Sequence, residues 1–304
     1  MDLTSDISRG AWIRRRLEGW GVVGGVVPRG FDAYVRILHP FDATLFDLDE
    51  SHSDEWGNPA VLEDAEWTWA RVAERTGRTM HPLVQSRNLE DESHTRFSDG
   101  WRLGQTSEGT FDPASLARLV GAFRAATATP LDITVAVWIG WGFQNDGPGA
   151  AVAYIAFTAD GDESADDERI RIDSFLQGQR VAVSGAVRSA VGAAPQGTLQ
   201  LPGREYLLFE TTLDELADPS WTQHAGIGGN GLPAGAGHTP QLLWPADHAW
   251  CLASEIDFDS TLVGGSRTLI DSILADDALE TYEVGPDDDL TWLGDTINPA
   301  PPLP

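Results

Sequence analysis

Apolar residues recur along this chain in two rhythms, and the elements change where the rhythm changes. Across 113–127, Leu116, Leu119, Val120 and Phe123 share one helical face, Asp112 is placed to cap the helix and Pro113 occupies its first turn. Pro130 stops it, after which Ile133, Val135, Val137 and Ile139 alternate with Thr134, Ala136 and Trp138 up to a Gly140-Trp141-Gly142 turn. That two-residue period predicts a strand. Within 26–38, Tyr34, Arg36 and Leu38 alternate with Val35 and Ile37, and His39-Pro40 closes the segment. Further strands are predicted over 204–212 and 249–257.

Helical spacing predicts three more helices. One runs from Thr4 or Ser5 through about residue 20, with Trp12, Ile13, Leu17 and Trp20 as its apolar stripe and Arg14, Arg15 and Arg16 facing water. Another covers 63–76, where Trp69, Val72, Ala73 and Thr76 share a face and Gly77 is the stop. The last spans 266–275. A loop rich in Asp and Ser is expected before residue 63, and a Gly-rich loop over 217–240. Residues 143–200 differ in character: an acidic cluster at 160–168 separates strand-like runs at 151–158, 169–175 and 180–187. They read as an inserted, strand-rich Gly/Ala/acidic meander. Residues 299–304 form a Pro-rich tail. Together these predict an α+β fold with a mixed or mostly antiparallel sheet and flanking helices. The expected organisation is one domain over 1–304, in which the N-terminal half and the part from 200 onward share a sheet. Two domains are the alternative.

At 304 residues, 41% of them hydrophobic, the chain is able to bury a sizeable core. Charge narrows its partners. With 47 acidic against 20 basic residues the formal charge is -27, which repels phosphate backbones and anionic headgroups. Direct nucleic-acid or membrane binding is therefore not expected, while a cationic ligand or a basic protein partner suits the charge. No run approaches the ~20 apolar residues of a membrane-spanning helix, and no secretion signal is read. Cys251 is the single cysteine, so the expected compartment is the cytoplasm. Every basic residue is arginine. Without lysine, neither a Walker-type phosphate loop nor Schiff-base chemistry is available within this chain.

Gly19-Trp20-Gly21-Val22-Val23-Gly24 and Gly226-Ile227-Gly228-Gly229-Asn230-Gly231 match the bare dinucleotide pattern, but neither follows a predicted strand and opens a helix. Asp160, Asp162 and Ser164 resemble the start of a calcium loop. However, Ala165 replaces the turn glycine, and Arg171 stands where the bidentate glutamate belongs. No Gly-x-Ser-x-Gly elbow and no His-Glu-x-x-His pair occurs. What remains is Glu255-Ile256-Asp257-Phe258-Asp259, where strand alternation would gather three carboxylates on one face. Glu255 and Asp257 would then be candidate catalytic groups or ligands of a divalent metal, with His39 or His81 as further ligands able to help activate water. The ordinary reading is an exposed strand end whose acids cap a turn or pair with Arg36 or Arg204. Gly264-Gly265-Ser266 reads as a turn and a helix cap rather than an anion site. Arg36, Arg204, Trp141, Trp244 and Trp250 are candidate ligand-binding residues, although twelve tryptophans more often close a core than stack on a sugar or cation.

Three blocks, PRGFDAYVRILHP from Pro28, LPGREYLL from Leu201 and LWPADHAWCLASEIDFDSTLVGGS from Leu243, resemble a family of uncharacterised actinobacterial proteins. The likeness extends to His81-Pro82, 138–142 and 295–298, and residues 143–200 fit it poorly. It implies a single shared fold and no reaction. The leading expectation is a non-enzymatic binding protein, antitoxin- or immunity-like, with no cofactor. A metal-dependent hydrolase built on Glu255 and Asp257, and a carbohydrate-binding module built on the tryptophans, are the alternatives.

Overall fold

The computed structural model describes residues 1–53, 57–90, 95–141, 184–193, 197–227 and 240–298. In chain order the elements are β1 (Asp2–Thr4), β2 (Ala33–Leu38), β3 (Phe41–Phe46), β4 (Val61–Trp67), α1 (Trp69–Thr76), β5 (Trp101–Thr106), α2 (Pro113–Ala125), β6 (Ile133–Trp138), α3 (Gly185–Gly192), β7 (Leu199–Leu201), β8 (Arg204–Thr211), β9 (Leu242–Pro245), β10 (Cys251–Ala253), β11 (Ser260–Gly265), α4 (Arg267–Leu274) and β12 (Thr281–Val284). Single helical turns punctuate the connections. The fold is α+β, with antiparallel sheets flanked by helices.

The chain forms two compact units, one of residues 1–16 and 112–251, the other of 17–111 and 252–304. In the first, β8 pairs antiparallel with β1, β6 and β7, and β6 pairs with β9. Asp112 caps α2 by accepting from the Ser115 amide at 2.8 Å, and Leu116, Leu119, Val120 and Phe123 face inward. Trp250 stacks on Phe123 with ring centroids 4.2 Å apart.

In the second unit β2 pairs antiparallel with β11 and β12, α4 packs against β2, and β3 pairs with β4 and β5 in a separate three-stranded sheet. All six residues of β2 are buried. A strand covered on both faces loses its polar side, so its alternation places Arg36 in the interior rather than in water. A core of Phe41, Trp67, Trp69, Val72 and Leu89 closes the three-stranded sheet over α1.

Several expected elements differ. The helix expected over 63–76 is two elements, β4 and α1. Thr68 separates them by turning extended and accepting from the Arg71 amide, so that Trp67 ends a strand and Trp69 begins a helix. The loop expected before residue 63 contains β3, in which Phe41, Ala43 and Leu45 alternate with Asp42 and Thr44 and which pairs with β4 and β5. The long first helix is a 3-10 turn at Ile7–Gly10 and one helical turn at Ala11–Arg14. Gly19 and Gly21, at φ 75° and 85°, lead the chain away from helical geometry. The strand expected over 249–257 ends at Ala253, and 184–187 begins α3, with Ser184 accepting from the Val187 amide, rather than continuing a strand. The other runs expected within 143–200 lie outside the described residues, as do 299–304.

Candidate functional site

At the end of β2 the chain turns His39 into the interior of the second unit. Its Nδ1 lies 2.5 Å from the Ser107 carbonyl oxygen and its Nε2 2.8 Å from Thr261 Oγ1. A carbonyl only accepts, so Nδ1 carries a ring proton, and in the neutral ring Nε2 accepts from the Thr261 hydroxyl. Thr261 Oγ1 in turn accepts from Ser254 Oγ at 2.6 Å. With the ring neutral, donors run in one direction, from Ser254 through Thr261 and His39 to Ser107. A hydroxyl donating to an imidazole is the geometry of an activated nucleophile, but Thr261 and Ser254 have no exposed surface. Phe111 stacks on the ring at 6.0 Å, and the His39 carbonyl accepts from Trp69 Nε1 at 2.6 Å. A substrate would have to reach an atom with no solvent contact. The chain of hydroxyls acts as internal scaffolding.

Arg36, 1% exposed, does similar work on the neighbouring turn. Its Nε donates to Ser260 Oγ at 2.9 Å and its Nη1 to the carbonyls of Pro82 and Val84 at 3.1 and 2.8 Å. Nη2 is 3.6 Å from the Asp259 carboxylate. Burial lowers its pKa, an effect Asp259 and Asp295 oppose. The guanidinium thus fixes the segment after His81 from beneath.

His81 is held from the other side. Its Nε2 is 2.8 Å from Asp295 Oδ1, and its Nδ1 accepts weakly from the Leu83 amide at 3.3 Å. Asp295 also accepts from the amides of Ile297 and Asn298 at 3.1 and 2.9 Å and from Asn298 Nδ2 at 3.0 Å. Burial would push this carboxyl up. The Asn298 backbone and side chain and the His81 ring outweigh burial and hold it at about 2. The buried Asn88 side chain adds to the same effect. Asn298 also exchanges two hydrogen bonds with the Thr79 backbone, at 2.9 and 3.0 Å. Beside this network lies a cavity of about 510 Å³ whose walls include His81, Leu83, Glu283, Asp288, Thr296 and Ile297. Two of its lining residues are carboxylates and none is arginine. Glu283 pairs with Arg267 at 2.7 Å, and Asp288 accepts from the Gly285 amide at 2.7 Å.

The sequence candidates fall in different places. Glu255 and Asp257 lie in the turn between β10 and β11, where the Phe258 amide donates to the Glu255 carbonyl at 3.0 Å. Strand alternation therefore does not operate on them. Asp259 turns toward Arg36, and Glu108 stands close enough to Asp259 and Asp257 that its pKa is raised, chiefly by burial and then by those two charges. His39 and His81 each engage both ring nitrogens elsewhere. Among the described residues no group of three or more His, Cys, Asp or Glu is arranged to hold a metal ion. Trp244 and Trp250 are buried in the core of the first unit, so neither presents a face to a ligand. Arg204 lies over the Trp138 ring at 5.6 Å. Trp141 ends a 3-10 turn, and its side chain lies outside what is described. Arg36 is a scaffold, not a ligand contact.

Asp295, Thr261 and Ser254 were not singled out in the sequence, because none belongs to a local motif. The signals present were the blocks at 81–82 and 295–298, which the structure joins across 214 residues. No protein family, curated protein or solved structure matches the chain.

Proposed function

We propose that this chain is a non-enzymatic binding protein whose acidic surface recognises a basic partner, in the manner of an antitoxin or immunity protein. The observation that carries the reading is where the cations go. Arg9 pairs with Asp132, Arg29 with Asp287 and Glu18, Arg75 with Asp99, Arg124 with Asp214 and Arg267 with Glu283. Arg71 lies 3.9 Å over the Trp67 ring and Arg102 4.1 Å over Phe46. Seven of the 20 arginines are engaged in these contacts within the molecule, and the whole chain keeps an excess of 27 negative charges. Such a field attracts cationic partners and speeds their association.

The groups with catalytic chemistry fit the same reading. His39 and His81 hold structure together, and Cys251 is buried, with a thiol pKa pushed far above its usual range by that burial. No helix among the described residues is long and apolar enough to cross a membrane. Fluorescence anisotropy with short arginine-rich, neutral and glutamate-rich peptides of equal length tests the reading. The arginine-rich peptide is expected to bind at physiological salt and to weaken as salt rises. Equal binding of all three, or none by the basic one, would overturn it.

A further inference from the structure

One face of the second unit combines negative charge with exposed apolar side chains. The 17–22 and 286–294 segments lie side by side: Val22 bridges Asp289, the Leu290 amide donates to the Gly21 carbonyl at 2.7 Å, and the Val23 amide donates to the Asp288 carbonyl at 3.1 Å. On these two segments Trp20 is 74% exposed, Trp292 47% and Leu293 60%, and Ile297, three residues further on, is 56% exposed. Isolated surface apolar residues are ordinary, but three on two joined segments with a fourth close by in the chain, two of them tryptophan, are the composition that marks interaction sites. Glu18, Asp287 and Asp289 belong to the same segments, the first two about a single Arg29, and Ile297 also forms a wall of the cavity that contains His81, Glu283 and Asp288.

We propose that this face docks a basic segment of a protein partner, with apolar side chains lying on Trp20, Trp292, Leu293 and Ile297 and an arginine or lysine entering the cavity beside Glu283 and Asp288. It rests on the binding reading above and adds where the partner sits and what it carries. Charge complementarity chooses the occupant. A second copy of a chain with charge -27 is repelled, as are anionic lipids and nucleic acid, whereas a guanidinium meets the Asp288 carboxylate and that of Glu283, which it would share with Arg267. Trp292 already attracts one guanidinium, that of Arg87, 5.7 Å from its ring. The backbone is fixed before binding. The Gly21–Leu290 bond, Asp288 accepting from Gly285 and the Asp295–Asn298 network hold both segments, so little ordering is needed on association.

The test uses a labelled short peptide of alternating arginine and leucine, an all-arginine peptide of the same length, the full chain, and the Trp292→Ser/Leu293→Ser variant. Both substituted side chains are exposed, and a matching thermal melt verifies that the variant folds. The arginine–leucine peptide is expected to bind the native chain more tightly than the all-arginine one, and the double substitution to weaken it by about tenfold or more. An exposed control, Asp2→Asn, is expected to leave it unchanged. If the peptide binds native chain and double variant alike, the face is wrong and the binding reading stands; if neither basic peptide binds, both fall. A concentration-dependent dimer that the double substitution dissolves would give the face to a second copy and overturn the proposal.

Discussion

Thr261 shows how much of the second unit's interior depends on a single hydroxyl. Replacing it with valine keeps the shape but leaves the Ser254 hydroxyl and His39 Nε2 buried without their partner. The expected loss is about 2 kcal/mol or more. Thr261→Ser restores the chain of donors and is expected to lose about 1 kcal/mol, for the missing methyl. Urea unfolding of the two variants checks the difference. Asp295 makes a pH prediction. Its carboxyl sits at about 2 in the folded chain, below its usual value of 3.8. Stability from this group is therefore fully present above about pH 4 and is lost as pH falls toward 2, amounting to about 2 kcal/mol. Asp295→Asn is expected to flatten that part of the stability–pH curve, read from urea midpoints. The sequence exposed these sites only in part. His39 and His81 stood out because their residue type suggests ligation, but the groups that engage them, Thr261 and Asp295, lie 222 and 214 residues away. No local pattern encodes such a pairing.

At the scale of elements, what was legible is what local chemistry decides. Asp112 and Pro113 announce α2, alternation announces β6, and Ser266, which accepts from the Leu269 amide at 3.3 Å, announces α4. Where partners outside the segment decide, the sequence misled. The acidic run of Glu63, Asp64 and Glu66 looks like the wet side of a helix, yet it belongs to β4, whose residues are mostly exposed. The boundary lies at Thr68, and the start of α1 is secured by a distant side chain: Glu280 accepts from the amides of Trp69 and Ala70 at 2.6 and 2.8 Å. A carboxylate there satisfies two amides that a helix start leaves without partners. Glu280→Ala is expected to destabilise the chain by about 1 kcal/mol, and Thr68→Ala by a similar amount. Thermal melts of both variants check this. Glu255 and Asp257 illustrate the opposite error: a strand assumed to continue past Ala253 would have aligned their carboxylates, and the turn that replaces it does not.

Charge governs the molecule as a whole. An excess of 27 negative charges makes the folded chain repel itself as well as attract cations. Adding salt screens that repulsion, so raising sodium chloride from low to physiological levels is expected to raise Tm by about 2–4 °C. A flat or falling Tm would mean that the carboxylates are already neutralised by contacts within the chain. The same charge bears on binding, since a diffuse acidic surface would accumulate many basic ligands weakly, whereas a recognition site takes one. Isothermal titration calorimetry of the full chain with the arginine–leucine peptide at physiological salt separates the two most directly. One peptide per chain, bound saturably, is the result expected of a protein built to receive a basic partner; several weak equivalents, or no heat at all, would contradict it.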